Sequence, residues 1–171
     1  AAARFPRVVL GIHTHNDAEL AVANSLAAIE AGAAMVQGTI NGYGERTGNA
    51  NLCSIIPALA LKMKARLACG PQLAQLRSLS LLLDEIADLR PPKNRPYVGE
   101  SAFAHKAGMH VDAIGKISQS FEHLDPAAIG NERRILMSEL SGASNVRMKT
   151  GEMGLVFQKD SPAIQDILHR L

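Results

Sequence analysis

Two histidines standing two residues apart, a run of helical length and a glycine-rich loop constrain this chain more than any other feature of it. The apolar run Val8-Val9-Leu10-Gly11-Ile12 ends in His13-Thr14-His15-Asn16-Asp17. Read as a strand, it puts His13 and His15 on one face and Thr14 on the other, because side chains alternate. One strand end then offers two imidazoles to one ion, and imidazole suits zinc, copper, iron or nickel. A pair of exposed or core-satisfied histidines fits the same spacing. Asn16 or Asp17 can cap the helix that follows. Leu20, Ala23, Leu26, Ala27 and Ile29 recur at helical spacing, and Gly32 suits the position just past a helix end. Residues 33–40 read as a second strand. A strand, a helix of about fifteen residues and a second strand make a βαβ unit, whose crossover sets the strands parallel and brings both strand ends to one edge.

The loop beyond Ile40 reads Asn41-Gly42-Tyr43-Gly44-Glu45-Arg46-Thr47-Gly48-Asn49. Its glycines permit tight turning and close backbone approach. Asn49 can return beside the two histidines, where its side-chain oxygen is a candidate third ligand. It can equally be the N-cap of the next helix. That helix passes through Leu52, Ile55, Ile56 and Leu59 toward Met63, and Pro57 either kinks it or marks its true start. Leu73, Leu76, Leu79, Leu83, Ile86 and Leu89 form a second amphipathic stretch, read as packing surface.

Arg90 to Pro96 carries three prolines and reads as a linker whose basic residues solvate it. Tyr97-Val98-Gly99 reads as a short extended piece, and 102–116 as a helical region broken near Gly108. That region carries His105, Lys106 and His110, which periodicity alone leaves as surface residues. Asp125-Pro126 opens a short helix ending at Gly130, and Ser161-Pro162 is a clean helix start. Arg133-Arg134 suit an anion or an ordinary surface ion pair.

Composition narrows the classes. A chain of 171 residues with 47% hydrophobic content can bury a real core. A net charge of +2 argues against nucleic acid or membrane attraction as its main business. No apolar run approaches the roughly 20 residues of a membrane span, and the N-terminal stretch lacks an apolar signal core. Cys53 and Cys69 share no metal-type spacing, which fits a reducing cytoplasm.

The motifs H-T-H-N-D and N-G-Y-G-E-R-T-G-N-A-N-L resemble those of the acyl-CoA-condensing metalloenzymes of the isopropylmalate, homocitrate and citramalate synthase group. Within it, G-E-S-A-F-A-H-K-A-G-M-H-V-D-A-I and I-L-M-S-E-L-S-G are most similar to the citramalate branch. The resemblance implies an α/β fold: a C-terminal fragment of a (β/α)8 TIM barrel, about its last two βα units, followed by a mainly helical linker domain. The corresponding divisions are 1–70 (barrel segment), 71–96 (helix and proline-rich linker) and 97–171 (linker and dimerisation subdomain).

The implied reaction joins acetyl-CoA to an α-keto acid, pyruvate foremost, giving citramalate and CoA. The implied metal ligands are His13, His15 and Asn49, with an aspartate on a barrel strand this chain does not contain. The ion would be Mn²⁺, Mg²⁺ or Zn²⁺. His110 would reach the active site of the partner subunit in a homodimer and move a proton. Glu45 is the other candidate base, and more an orienting residue through Arg46. Asp17 would be a cap or would steady an imidazole N–H. The chain departs from its relatives at Phe121, where a tyrosine is common and where phenylalanine donates no hydrogen bond. Isopropylmalate or homocitrate synthesis, a lyase, and a non-catalytic assembly remnant compete with this reading. A lyase of this group would carry a cysteine in the glycine loop, and 42–49 holds none. As a fragment lacking the aspartate, the chain is expected to be inactive alone.

Overall fold

The βαβ unit forms, with shorter elements than the hydrophobic pattern suggests. Strand β1 (Gly11–His13) pairs in parallel with β2 (Met35–Gln37), in the register Gly11↔Met35, Ile12↔Val36, His13↔Gln37. Helix α1 (Ala21–Glu30) makes the crossover. Val8 and Val9, expected in the strand, are 58% and 79% exposed and lie outside it. Helix α1 starts at Ala21, with Leu20 in the cap position and no side-chain cap bond there. Asn16 Oδ1 instead accepts from the Ala21 N–H at 3.3 Å, across the turn between strand and helix. The C-terminal end matches expectation. Gly32 is left-handed (φ 100°), its N–H donates to Ile29 O and the Ala33 N–H to Ala28 O, which is a Schellman closure.

These are features of a computed structural model that describes residues 2–106, 113–114, 117, 121–137, 141–158 and 161–170. His110 and Gly108 lie outside the described residues.

Helix α2 (Leu52–Pro57) is capped by Asn51, whose side chain accepts from the Cys53 N–H at 2.9 Å. The backbone then widens into a π turn over Ala58–Lys62. Pro57 brings no N–H to the helical ladder, so a loosened turn directly after it follows from its chemistry. One buried cluster, Ala21, Ala50, Ile55 and Leu59, seats α1 against α2 beneath the β1–β2 pair. Helix α3 (Leu76–Ile86) follows a tight helical turn at Gly70–Gln75. A second cluster joins Cys53 and Leu73 to Leu76, Val98, Phe103 and Ile129, and so draws on all three stretches of the chain.

Past the linker, 97–103 runs as a series of turns with Tyr97 left-handed (φ 65°), and is not extended. The expected helix from 102 is replaced at its start by strand β3 (Ala104–His105), paired in parallel with β4 (Arg134–Ile135). Pairing with a segment thirty residues onward settles what local pattern could not. Asp125 caps the short helical turn Pro126–Ile129 by accepting from the Ala127 N–H at 3.0 Å, and Gly130 ends it at φ 72°. Helices α4 (Ala143–Glu152) and α5 (Pro162–Arg170) pack on each other, with the Ser161 hydroxyl accepting from the Ile164 N–H at 3.4 Å. The described part of 97–171 is thus mixed α/β. Among the described residues, no helix is long and apolar enough to cross a membrane.

Candidate metal centre

Alternation through β1 carries over to its end. Ile12, Thr14 and Asn16 are half-buried, while His13 and His15 are exposed. The Thr14 hydroxyl donates to Ala21 O at 3.1 Å and lies 3.1 Å from Ser25 Oγ, so Thr14 faces α1. The two imidazoles share the opposite face, ring centres 5.2 Å apart and planes 77° to each other. Two imidazoles on one tetrahedral ion, with each nitrogen at about 2.0–2.1 Å, hold their ring centres about 5 Å apart.

Asn49 arrives beside them through the backbone. Residues His15 and Asn49 form an isolated antiparallel bridge. It is flanked by Asn16 N–H to Gly48 O at 2.9 Å and Ala50 N–H to Thr14 O at 3.0 Å. A pair flanked in this way is the non-hydrogen-bonded kind, in which directly opposed side chains share a face and stand closest. Asn51, two residues later, caps α2, so Asn49 has no capping task. Its Nδ2 donates to Tyr43 O at 3.1 Å, and its Oδ1 is buried with no partner among the described residues. A buried acceptor left unsatisfied costs about 1–3 kcal/mol. Two imidazoles on one face and an orphaned amide oxygen make a donor set that fits a divalent ion. No group of three or more His, Cys, Asp and Glu suited to an ion occurs among the described residues, so no described carboxylate joins these three donors.

The loop is shaped by close approach. Gly48 is left-handed (φ 86°), and a Cβ there would lie 2.1 Å from Gly42 O. The Asn49 N–H donates to that same carbonyl at 2.9 Å. Asp17 caps nothing and pairs instead with Arg46, both about half exposed. The Arg46 guanidinium holds the Asp17 carboxyl below its usual range, with a smaller contribution from His15. Arg46 therefore engages Asp17 and not Glu45, whose side chain is exposed and makes no hydrogen bond or ion pair among the described residues. An apolar groove of about 480 Å³ over α3, lined by Ile56, Leu73, Leu76, Leu79 and Leu82 among others, includes none of these residues.

Sequence reasoning missed the buried polar cluster behind the loop. Arg95 (9% exposed) grips Asp84 (1% exposed) with both terminal nitrogens, Nη1 to Oδ2 at 2.7 Å and Nη2 to Oδ1 at 3.0 Å. The Tyr43 hydroxyl donates to the same Asp84 Oδ1. Asn41 Nδ2 donates to Ser80 O at 2.8 Å and to Asp84 Oδ1 at 3.2 Å. The Ser80 hydroxyl and the Cys53 thiol donate to Asn41 Oδ1 at 2.6 and 3.4 Å. Burial pushes the Asp84 carboxyl up, but the bonds from Arg95 and Tyr43 outweigh it and leave it below the usual carboxylate range. Arg95 is thus a structural cation, not linker charge.

A second cluster was also unforeseen in its depth. Arg133 grips the buried Glu122 through Nε and Nη2, both at 2.6 Å, and His105 Nε2 stands 3.1 Å from Glu122 Oε1. Burial raises the Glu122 carboxyl, and these partners more than reverse it. The histidine of Phe121-Glu122-His123 packs between Tyr97 and Phe103, and burial lowers its pKa. Arg134 pairs with exposed Glu100 and Glu132, as an ordinary surface cation would.

Comparison with known proteins is specific. The chain is 54% identical over 162 residues to an (R)-citramalate synthase of Geobacter sulfurreducens, covering 95% of this chain and 31% of that protein. Identity is 53% to one of Synechocystis sp. (95% and 30% covered) and 48% to one of Aquifex aeolicus (98% and 32% covered). The chain therefore spans about a third of the length of these relatives. Residues 2–83 match the HMGL-like family, and residues 97–171 match the homocitrate synthase post-HMGL domain-like family. Along the chain, a segment similar to the HMGL-like family is thus followed by one similar to the homocitrate synthase post-HMGL type.

Proposed function

We propose that this chain supplies part of the active site of an enzyme that condenses acetyl-CoA with an α-keto acid, pyruvate foremost, to give citramalate and CoA. The observation that carries the reading is the shared face of His13, His15 and Asn49 with its unsatisfied amide oxygen, in a chain about half identical to citramalate synthases. In this reading residues 1–70 are the last two βα units of a (β/α)8 barrel, where parallel strand ends and the loops after them form the active-site face. Residues 71–96 lead to a linker and dimerisation subdomain at 97–171.

His13, His15 and Asn49 would hold a divalent ion, Mn²⁺, Mg²⁺ or Zn²⁺. A divalent ion there supplies Lewis acidity toward the keto acid's carbonyl. The chain's own contribution to the chemistry is a base. His110, from a partner subunit of a homodimer, takes a proton from the acetyl methyl group. The resulting carbon nucleophile attacks the keto carbon, whose oxygen takes up a proton, and water then cleaves the thioester C–S bond to release CoA. Glu45 is the second candidate for that proton. Its carboxylate is exposed at the loop and unpaired among the described residues, which suits it to meet a substrate or to orient a neighbour. Asp17 and Arg46 form a charged rim beside His15 that keeps the loop in place from outside.

The test is thiol release from acetyl-CoA with Mn²⁺ in a complete enzyme that includes this segment, comparing pyruvate with α-ketoisovalerate. Pyruvate should be preferred, and His110→Ala should lower kcat by about 10²–10⁴, the range for a lost acid–base group. Metal affinity should hardly change in that variant. The 171 residues alone should release no thiol. A preference for α-ketoisovalerate would move the assignment to isopropylmalate synthesis, and full turnover by His110→Ala would remove that residue from the mechanism.

A further inference from the structure

We propose that Tyr43 is a positioning residue for the candidate ion site, setting the Asn49 side chain so that its oxygen is turned free for an ion. The inference rests on the reading of His13, His15 and Asn49 as ligands. Tyr43 touches both clusters: its hydroxyl reaches Asp84 of the buried Asp84–Arg95 pair, and its main-chain carbonyl reaches Asn49.

The chemistry of an amide decides the rest. A carbonyl oxygen only accepts, so the Asn49 group facing Tyr43 O must be its NH2, and the amide oxygen must point the other way. The orientation is therefore dictated by where the Tyr43 carbonyl sits. That carbonyl is fixed from a second side by the Thr39 hydroxyl, which also donates to it. At the other end of the residue, the phenol is anchored to a carboxylate that Arg95 holds with two bonds. The Arg95 guanidinium also lies 6.0 Å from the Tyr43 ring centre. Asn41 and Gly42, both left-handed (φ 64° and 71°), make the bend that sends Tyr43 back toward Asp84, and Asn41 is itself bound to Ser80 and Asp84. Gly44 leaves room for the amide, since a Cβ there would sit 2.3 Å from Asn49 Nδ2. The path is thus contiguous: Arg95, Asp84, Tyr43, Asn49.

Partners that orient a ligand without touching the ion commonly change metal affinity by about 10–100-fold. The test is a Co²⁺ titration of the full 171-residue chain, with the dissociation constant read from NMR shifts of the His13 and His15 ring protons. Tyr43→Phe, which keeps the ring, should weaken Co²⁺ about tenfold. Asn49→Ala should weaken it at least as much. In the Asn49→Ala background, Tyr43→Phe should do nothing further, which a general loosening of the fold would not reproduce. Arg95→Lys, which keeps the charge but loses the two-pronged grip, is the second variant. It should weaken Co²⁺ in the same direction and again only while Asn49 is present. Unchanged Co²⁺ affinity in Tyr43→Phe and Arg95→Lys, or effects that add fully to Asn49→Ala, would overturn the positioning role. Co²⁺ binding that ignores His13→Ala and His15→Ala, or no binding by the unaltered chain, would overturn the ion-site reading itself, and this inference with it.

Discussion

The strand-edge cluster of His13, His15 and Asn49 and the buried cluster of Asn41, Tyr43, Ser80, Asp84 and Arg95 flank the same loop and are built in opposite ways. At the edge, two imidazoles stand exposed and an amide oxygen lacks a partner among the described residues. Behind the loop, two ionised groups are dry and doubly bonded to each other, with a phenol, an amide and a hydroxyl bonded to them or to one another. The difference separates capacity to bind from capacity to hold. In the proposed ion-site reading, groups kept for a ligand forgo protein partners, and that cost is offset by a neighbouring cluster in which the buried charges are matched.

That contrast predicts opposite phenotypes. Arg95→Ala leaves the Asp84 carboxylate buried without its cation, a change that typically costs about 3–5 kcal/mol. In urea unfolding the variant should lose that much, a large fraction of the roughly 5–15 kcal/mol by which domains are stable. His15→Ala should do the reverse: unfolding unchanged within error, and Co²⁺ shifts at the remaining imidazole abolished. If His15→Ala proved the more destabilising of the two, the division between binding and holding would fail.

A smaller effect joins the two regions. Gly48→Ala forces a side chain into a left-handed backbone (φ 86°), worth about 1–2 kcal/mol before any clash, and directs its Cβ at Gly42 O. Stability should fall by at least that amount, and Co²⁺ affinity should fall with it because Asn49 is the next residue. A variant that loses stability while binding Co²⁺ normally would show that the loop does not place Asn49.

The edge cluster was legible from sequence and the buried one was not, for a physical reason. Ligand-type residues on one strand follow a period of two, so His13 and His15 could be put on one face from spacing alone. Asn49 was ambiguous, because capping preference cannot choose between it and Asn51 across Ala50; the bridge to His15 decides. Asp84 sits on a leucine-striped helix and Arg95 in a proline-rich linker, eleven residues apart. No helical or strand period links them, and each alone reads as solvating charge. The helix expected from 102 failed likewise, since β3 exists only through its pairing with β4. Gly32, Gly130 and the Ser161-Pro162 start were readable because their chemistry is local.

Acidification should separate the clusters more gently. Asp84 and Glu122 are both held below the ordinary carboxylate range of about 4. The unfolded chain then binds more protons than the folded one in that range, so stability is fully present above it and drains as pH falls through the depressed folded values. Urea midpoints should be flat above about pH 5 for these groups and fall below about pH 4. Asp84→Asn should remove part of that slope. An equal slope in Asp84→Asn would mean that other carboxylates carry the acid response.

The smallest effect expected is at Asp17, and its smallness is informative. Asp17 and Arg46 pair at the rim of the strand-edge cluster with side chains 56% and 53% exposed. Asp17 carries a lowered pKa, as Asp84 does, with Arg46 as its main cause. Similar direction does not mean similar stability, because water and salt screen an exposed pair while a dry one keeps its full interaction. Asp17→Asn should therefore leave the urea midpoint within error of the unaltered chain at any salt concentration. Urea unfolding of Asp17→Asn at low and high salt reads this directly. A midpoint that falls clearly in the variant, and falls further at low salt than at high, would mean that the rim pair is screened less than its exposure implies and helps hold the loop as the buried pair holds the fold.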